Sequence, residues 1–272
     1  MLEISVPATR DWELFRRLAD SEGWRVPPAE LELYRRGPCG RAFVLKREAE
    51  PRGFVTLFAY RVNGWIGNLI VPPEYRGRGY GSRLFDHAAE VLRHRGVDNI
   101  WLTASEMGRP LYSRRGFVTV ERIERWVLNN AGDGGEGGAH SVDDEAFYCL
   151  DGRIWGESRR NLLAPLRQGG KLLMQGSTAA LLQEGNGVQI LGPWLSAGLC
   201  PQENRQVLAA ALTAARPRAT LVADVVAGSP VRSLLAAAGF VARGRTELMV
   251  RGAGSTLKVE SLVALASLGS MG

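Results

Sequence analysis

The stretch "VPPEYRGRGYGSRLF", residues 71–85, decides the reading of this chain: three glycines and three arginines follow two prolines and run into an apolar-periodic segment. A strand ending at Val71, a glycine-rich turn and a helix opening near Gly81 leave several backbone N–H groups unpaired at a helix N-terminus, where the macrodipole favours an anion. Glycine lets those amides converge with no Cβ in the way, and Arg76, Arg78 and Arg83 add positive charge. The turn suits a phosphate. Two familiar phosphate loops do not fit it. A Walker A loop needs a lysine that is absent here, and a dinucleotide fingerprint needs glycine at position 82 or 84, which hold Ser82 and Leu84.

Working outward, the hydrophobic periods predict a strand over 3–8, helices over 11–21 and 28–36, and strands over 41–47, 53–62 and 65–72. After the turn they predict a helix over 81–95, a strand over 98–104, a short helix over 108–115 and a strand over 117–128. The Asn-Gly of "VNGW", residues 62–65, reads as a hairpin turn. The order is that of an α+β chain. Beyond it, "NNAGDGGEGGAHS", residues 129–141, reads as a flexible connector.

An ungapped shift of 123 residues aligns the later parts of the two halves: "RPLYSRRGFV" meets "RSLLAAAGFV", Gly116-Phe117 falls on Gly239-Phe240, and Arg109 falls on Arg232. A single Gly-Phe pair would read as a helix C-cap followed by a strand. The run of matches at one shift reads as a duplicated domain, with boundaries at 1–129 and 142–272 and a linker over 130–141.

The residues left after the two exclusions are Arg76-x-x-Gly79-x-Gly81, preceded by Val71-Pro72. They resemble the acyl-CoA pyrophosphate loop of the GNAT (GCN5-related N-acetyltransferase) superfamily. "PLYSRRGF", residues 110–117, is similar to that family's second signature. "TASEMGRPLYSRRGF", "RW" and the later "DGRIWGESRRNLL" resemble the bacterial tandem-GNAT acetyltransferases. The resemblance implies two tandem GNAT-like domains, each a mixed, mostly antiparallel splayed sheet flanked by helices, the second lacking the pyrophosphate loop. It implies acetyl-CoA as cofactor, the backbone near Ile70 and Val71 on the acyl-pantetheine arm, and the residues from Arg76 through Gly77, Arg78, Gly79, Tyr80 and Gly81 to Ser82 on the pyrophosphate. It also implies a pantetheine contact at Ser105, where many relatives carry asparagine, and Tyr112 at the thiolate.

In the second half the shift places Leu199, Cys200, Pro201, Gln202, Glu203 and Asn204 on the loop, and Leu235 on Tyr112. Every loop glycine is gone, Pro201 has no amide donor and Glu203 repels a phosphate. That copy is expected to complete the amine cleft or to brace the first sheet. Acyl transfer needs a proton donor for the thiolate and a base for the amine. Glu106 is paired with Tyr112 as the catalytic set, while Glu74 and second-domain acids such as Asp151 stay open. Asp151, Trp155 and Arg159 recur at four-residue spacing and would share one helix face as a substrate-binding set.

Composition narrows the classes further. The chain has 272 residues and a net charge of +6, with residues 1–130 holding 21 Lys/Arg against 16 Asp/Glu. These arginines are dispersed, so nucleic acid is not the expected partner. No apolar run reaches a membrane span, and "MLEISVPATRDWELF" lacks the pattern of a secretory signal, which points to the cytoplasm. Three cysteines without ligand spacing fit a reducing compartment and buried or inert thiols, and no metal site emerges. The expected activity is acetyl transfer to a primary amine of a small molecule or peptide by a monomer or homodimer. A non-catalytic acyl-CoA sensor is the alternative.

Overall fold

The computed structural model describes residues 1–131, 142–252, 254 and 256–272; most of the proposed linker, residues 132–141, lies outside them. The first half runs β1 (Leu2–Ser5), α1 (Thr9–Ser21), α2 (Pro28–Arg36), β2 (Gly40–Arg47), β3 (Glu50–Ala59), β4 (Asn63–Ile70), α3 (Tyr80–His94), β5 (Asn99–Ala104), α4 (Arg109–Ser113) and β6 (Val118–Ala131). The second runs α5 (Asp144–Trp155), α6 (Arg160–Gln168), β7 (Gly170–Gln175), β8 (Thr178–Glu184), β9 (Gln189–Ser196), α7 (Pro201–Ala214), β10 (Ala219–Val226), α8 (Val231–Ala237), β11 (Val241–Arg251) and β12 (Leu262–Ala264).

Among the described residues the strands form one sheet, ordered β1-β2-β3-β4-β5-β11-β6-β10-β12-β9-β8-β7. Pairing is antiparallel except for β4 with β5 and β9 with β10. Alternation separates the two faces, because successive side chains of a strand point opposite ways. Phe54 and Phe58 enter a core with α1, α2, α5 and α6, whereas Val55 and Leu57 enter one with α3 and α4. In the second half Ala180, Leu182 and Trp194 pack with α7 and α8.

The halves are interleaved at the centre. β11 lies between β5 and β6, and β6 lies between β11 and β10. Val241, which the 123-residue shift equates with Val118, pairs with Val127; Val250, equated with Val127, pairs with Val118. Each half therefore offers the same strand to the other, the isologous relation of a two-fold dimer realised within one chain. The sequence boundary near residue 130 is consequently not a boundary in space.

The repeat has a local cause as well. Gly116 and Gly239 take φ of 80° and 88°, and just past them Phe117 N donates to the Tyr112 carbonyl at 3.2 Å and Phe240 N to the Leu235 carbonyl at 3.0 Å. This is a left-handed helix stop that favours glycine. The Asn-Gly reading needs correction: Asn63 and Gly64 lie inside β4, and the β3–β4 turn is residues 60–62. Asn63 is buried, accepts from Trp101 Nε1 at 3.0 Å and donates to Glu157 at 2.6 Å. These tertiary bonds override its turn preference. Of the three cysteines, Cys149 is exposed rather than buried.

Candidate functional site

The glycine turn sits where β4 hands over to α3. Gly77 and Gly79 take φ of 75° and 78°, and Gly79 precedes the first turn of α3 with no side-chain cap. Among the described residues, a Cβ added at either would meet nothing within 4 Å, and at Gly81 only Val71 Cγ2 at 3.7 Å. The first amides of a helix have no intrahelical acceptor, so these point outward from an open glycine surface. Arg78 donates to the Glu74 carbonyl at 3.2 Å beside the Tyr75 ring. Arg76 donates to the Val71 carbonyl at 2.9 Å and pairs with Glu22, closing one side of the mouth. Tyr80 turns its ring into the α3 core, so only its amide serves the turn.

From this turn the cleft enters the sheet. β4 and β5 are paired only over Asn63–Trp65 and Asn99–Trp101 and then part. In β4 the register slips opposite Phe54 and Thr56, and Asn68 takes φ of 47°, an uncommon conformation for a non-glycine residue. The parting strands open a cavity of about 590 Å³ whose walls include Ile70, Val71, Arg76, Gly81, Ser105 and Tyr112. Ser105 accepts from Gly108 N at 3.2 Å, holding the turn before α4.

Tyr112 is 8% exposed, wedged against Phe85 and Phe117 at ring distances of 5.2 and 6.2 Å. Burial pushes its phenol up to about 12. It is therefore protonated at neutral pH and able to donate. Glu106 is exposed on the turn after β5 and is absent from the cavity wall.

The set of Asp151, Trp155 and Arg159 is also absent from that wall. α5 stops at Trp155 with Gly156 in a left-handed cap, so Arg159 is off the helix that the spacing implied. Asp151 and Arg159 are 0% exposed and joined by two hydrogen bonds of 2.6 and 3.1 Å. Arg159 lies 3.8 Å from the Trp155 ring centroid and donates to the Gly272 carbonyl at 3.1 Å. These three anchor the last segment of the chain beneath the cleft.

That segment, residues 262–272, is the part of the site that the periodicities did not mark. β12 inserts between β9 and β10, the second-half counterparts of β4 and β5. The chain then crosses to the first half. The Gly269 carbonyl accepts from Trp65 Nε1 at 3.2 Å and Thr103 Oγ1 at 2.8 Å, one from each parting strand. Leu268, Gly269 and Ser270 line the cavity, and the Leu268 carbonyl accepts from Arg125 at 3.1 Å.

Glu30 was missed as well. It lies on the cavity wall and is 1% exposed. The Tyr34 hydroxyl at 2.8 Å, Asn68 Nδ2 at 3.1 Å and Ser270 Oγ at 2.5 Å all donate to its Oε1. Burial raises its carboxyl above the ordinary value, and these donors pull the other way. A signal existed in α2: Glu30, Leu33 and Tyr34 stand at i, i+3 and i+4, a carboxylate on the stripe that faces the core.

The second half differs at each of these points. At α7 the Glu203 carboxylate accepts from Ser177 N at 3.1 Å and from the Ser177 and Thr178 hydroxyls at 3.0 Å each. Leu235, on the position of Tyr112, is buried in apolar surroundings.

The Acetyltransferase (GNAT) family matches residues 8–117, the segment that carries the glycine turn and Tyr112. That match covers 110 of the 272 residues and lies wholly in the first half. Over 68 residues it is 37% identical to the glucosamine 6-phosphate N-acetyltransferase of Trypanosoma brucei brucei, covering 25% of this chain and 46% of that protein. The chain spans less than half the length of the first curated relatives it matches. A crystal structure from Pyrococcus horikoshii, assigned as an acetyltransferase, matches with a TM-score of 0.78 at 20% identity, covering 99% of this chain and 95% of that one. A tandem GNAT protein from the clavulanic acid biosynthesis pathway matches with a TM-score of 0.57 at 16% identity, over 93% and 99% of the two chains. At these identities the two structures speak for the fold, two GNAT-like halves in one chain.

Proposed function

We propose that the chain is an acetyl-CoA-dependent N-acetyltransferase that acylates a primary amine of a small molecule or peptide, with its chemistry confined to the first half. The observation that carries this reading is an uncapped helix N-terminus behind open glycines, leading into a strand splay that ends at a buried, protonated tyrosine. Coenzyme A fits the residues present: amides from Gly77 to Ser82 suit a diphosphate, and the free run of β4 near Ile70 and Val71 suits an extended acyl arm. When bound, the cofactor supplies the thioester carbonyl and its thiolate leaving group.

The chain's own part is to hold and to transfer protons. Main-chain amides near Val71 polarise the carbonyl, and the Tyr112 hydroxyl donates toward the departing sulfur. In the second half β12 fills the corresponding splay and Glu203 sits at the helix mouth, so that half is proposed as a brace.

Calorimetric titration with coenzyme A is expected to give one site per chain. Thiol release from acetyl-CoA is expected with at least one of glucosamine 6-phosphate, spermidine, kanamycin and a tetrapeptide with a free N-terminus. Binding at one site without turnover on any amine would favour the sensor reading, and no binding would overturn both.

A further inference from the structure

The cavity wall carries three carboxylates, and two of them are already engaged. Asp224 is held by Arg125 through two hydrogen bonds of 2.8 Å, and Glu22 is paired with Arg76. Glu30 alone lines the cavity with no ion pair among the described residues. An unpaired buried carboxylate is costly to maintain, and such groups concentrate where chemistry uses them. We infer that Glu30 is the base that takes the proton from the acceptor ammonium, oriented by Asn68 on β4, Tyr34 on α2 and Ser270 from the closing segment of the second half. This rests on the transferase reading above.

Three features of the geometry support the assignment. All three donors converge on Oε1, and Oε2 accepts from no described residue, so one oxygen is anchored while the other is left to the cavity. Asn68 ties the carboxylate to the bulge of β4, just short of the stretch proposed for the acyl arm. Glu30 and Tyr112 also approach from opposite layers, α2 on one face of the sheet and α4 on the other. A proton removed on one side and a proton delivered on the other is what acyl transfer requires.

The step balances. The ammonium gives one proton to Glu30, which later releases it to water. The freed lone pair forms the C–N bond as the C–S bond breaks, and the sulfur leaves with the bonding pair. It takes the Tyr112 proton, which the nitrogen's second proton replaces. Around Glu30 stand Tyr34 from α2, Asn68 from β4, Ser270 from the closing segment and, through Asn68, Thr56 from β3. Only Tyr34 among them titrates, and burial holds its phenol well above the usual value. The acid limb of kcat/KM is therefore assigned to Glu30.

The test uses the full chain and the most active amine of the panel. Glu30→Gln is expected to lower kcat/KM at neutral pH by about 10²–10³-fold and to abolish the acid limb, with coenzyme A affinity unchanged within about two-fold. Ser270→Ala removes a donor that favours the charged carboxylate. It is expected to move the acid limb upward by about half to one pH unit, a change that mere support would not produce. If Glu30→Gln does not fold, Glu30→Asp and Ser270→Ala decide through the same limb. An active enzyme whose rate and profile are indifferent to these changes overturns the role of Glu30 alone. A wild-type chain that binds no coenzyme A, or acetylates none of the amines, overturns the transferase reading and this one together.

Discussion

Each half opens a pair of parallel strands, and the two openings are filled differently. Between β4 and β5 lies a cavity that reaches the glycine turn; between β9 and β10 lies β12, a strand of the same chain. The helix that follows shows the same divergence. α3 begins behind Gly77 and Gly79 with no described residue over them, whereas Glu203 on α7 satisfies Ser177 and Thr178. Shared topology thus leaves ligand capacity open: whether a splay binds anything depends on what its own chain puts into it.

The comparison breaks most severely if Gly79→Glu is tolerated. A left-handed backbone carrying a carboxylate at the proposed diphosphate site is expected to weaken coenzyme A binding by about 10³-fold in calorimetry, while Gln202→Glu, its counterpart by the 123-residue shift, changes nothing. Tyr112→Phe is expected to lower kcat by about 10²-fold with affinity for coenzyme A retained, and Leu235→Met to leave kcat untouched. Leu262→Ala probes the filled splay, since Leu262 is buried in β12. It is expected to cost about 2–5 kcal/mol in urea denaturation.

Smaller effects sharpen the picture. A Cβ at Gly67 would lie 2.7 Å from the Ser270 carbonyl oxygen, so Gly67→Ala displaces the segment that holds Glu30. It is expected to lower kcat/KM about ten-fold while the cofactor affinity stays level. The smallest effect concerns the Tyr112 phenol, raised to about 12 against about 10 in the unfolded chain. The folded state holds that proton more tightly, so the stability it contributes is complete below about pH 10 and is lost as pH climbs toward 12. Absorbance at 295 nm is expected to show a phenol titrating near pH 12 that Tyr112→Phe removes, while Tyr34 and Tyr60 stay raised in both proteins.

Much of this was legible in the sequence. The glycine turn, the Tyr112 helix and the second-half losses are local patterns of backbone freedom and charge, and a short window contains them. The 123-residue repeat was legible too, because Gly116 and Gly239 stop equivalent helices in equivalent conformations. What stayed hidden depends on distant pairs. Glu30 meets Ser270 across 240 positions, and Asn63, a turn residue by composition, is claimed by Glu157 from the other half. The Asp151, Trp155 and Arg159 spacing misled because Gly156 ends the helix before Arg159. β12 is only three residues long and carries no period to read.

The mutual exchange of β6 and β11 ties the fates of the two halves. The second half is free to drift at its helix mouth, where no ligand is expected. It has no such latitude in β11, whose backbone completes the sheet of the first half between β5 and β6. A second half held by its partner's hydrogen bonds cannot be discarded, so excising residues 142–272 would strip β11 from β5 and both neighbours from β6, leaving three raw edges exposed.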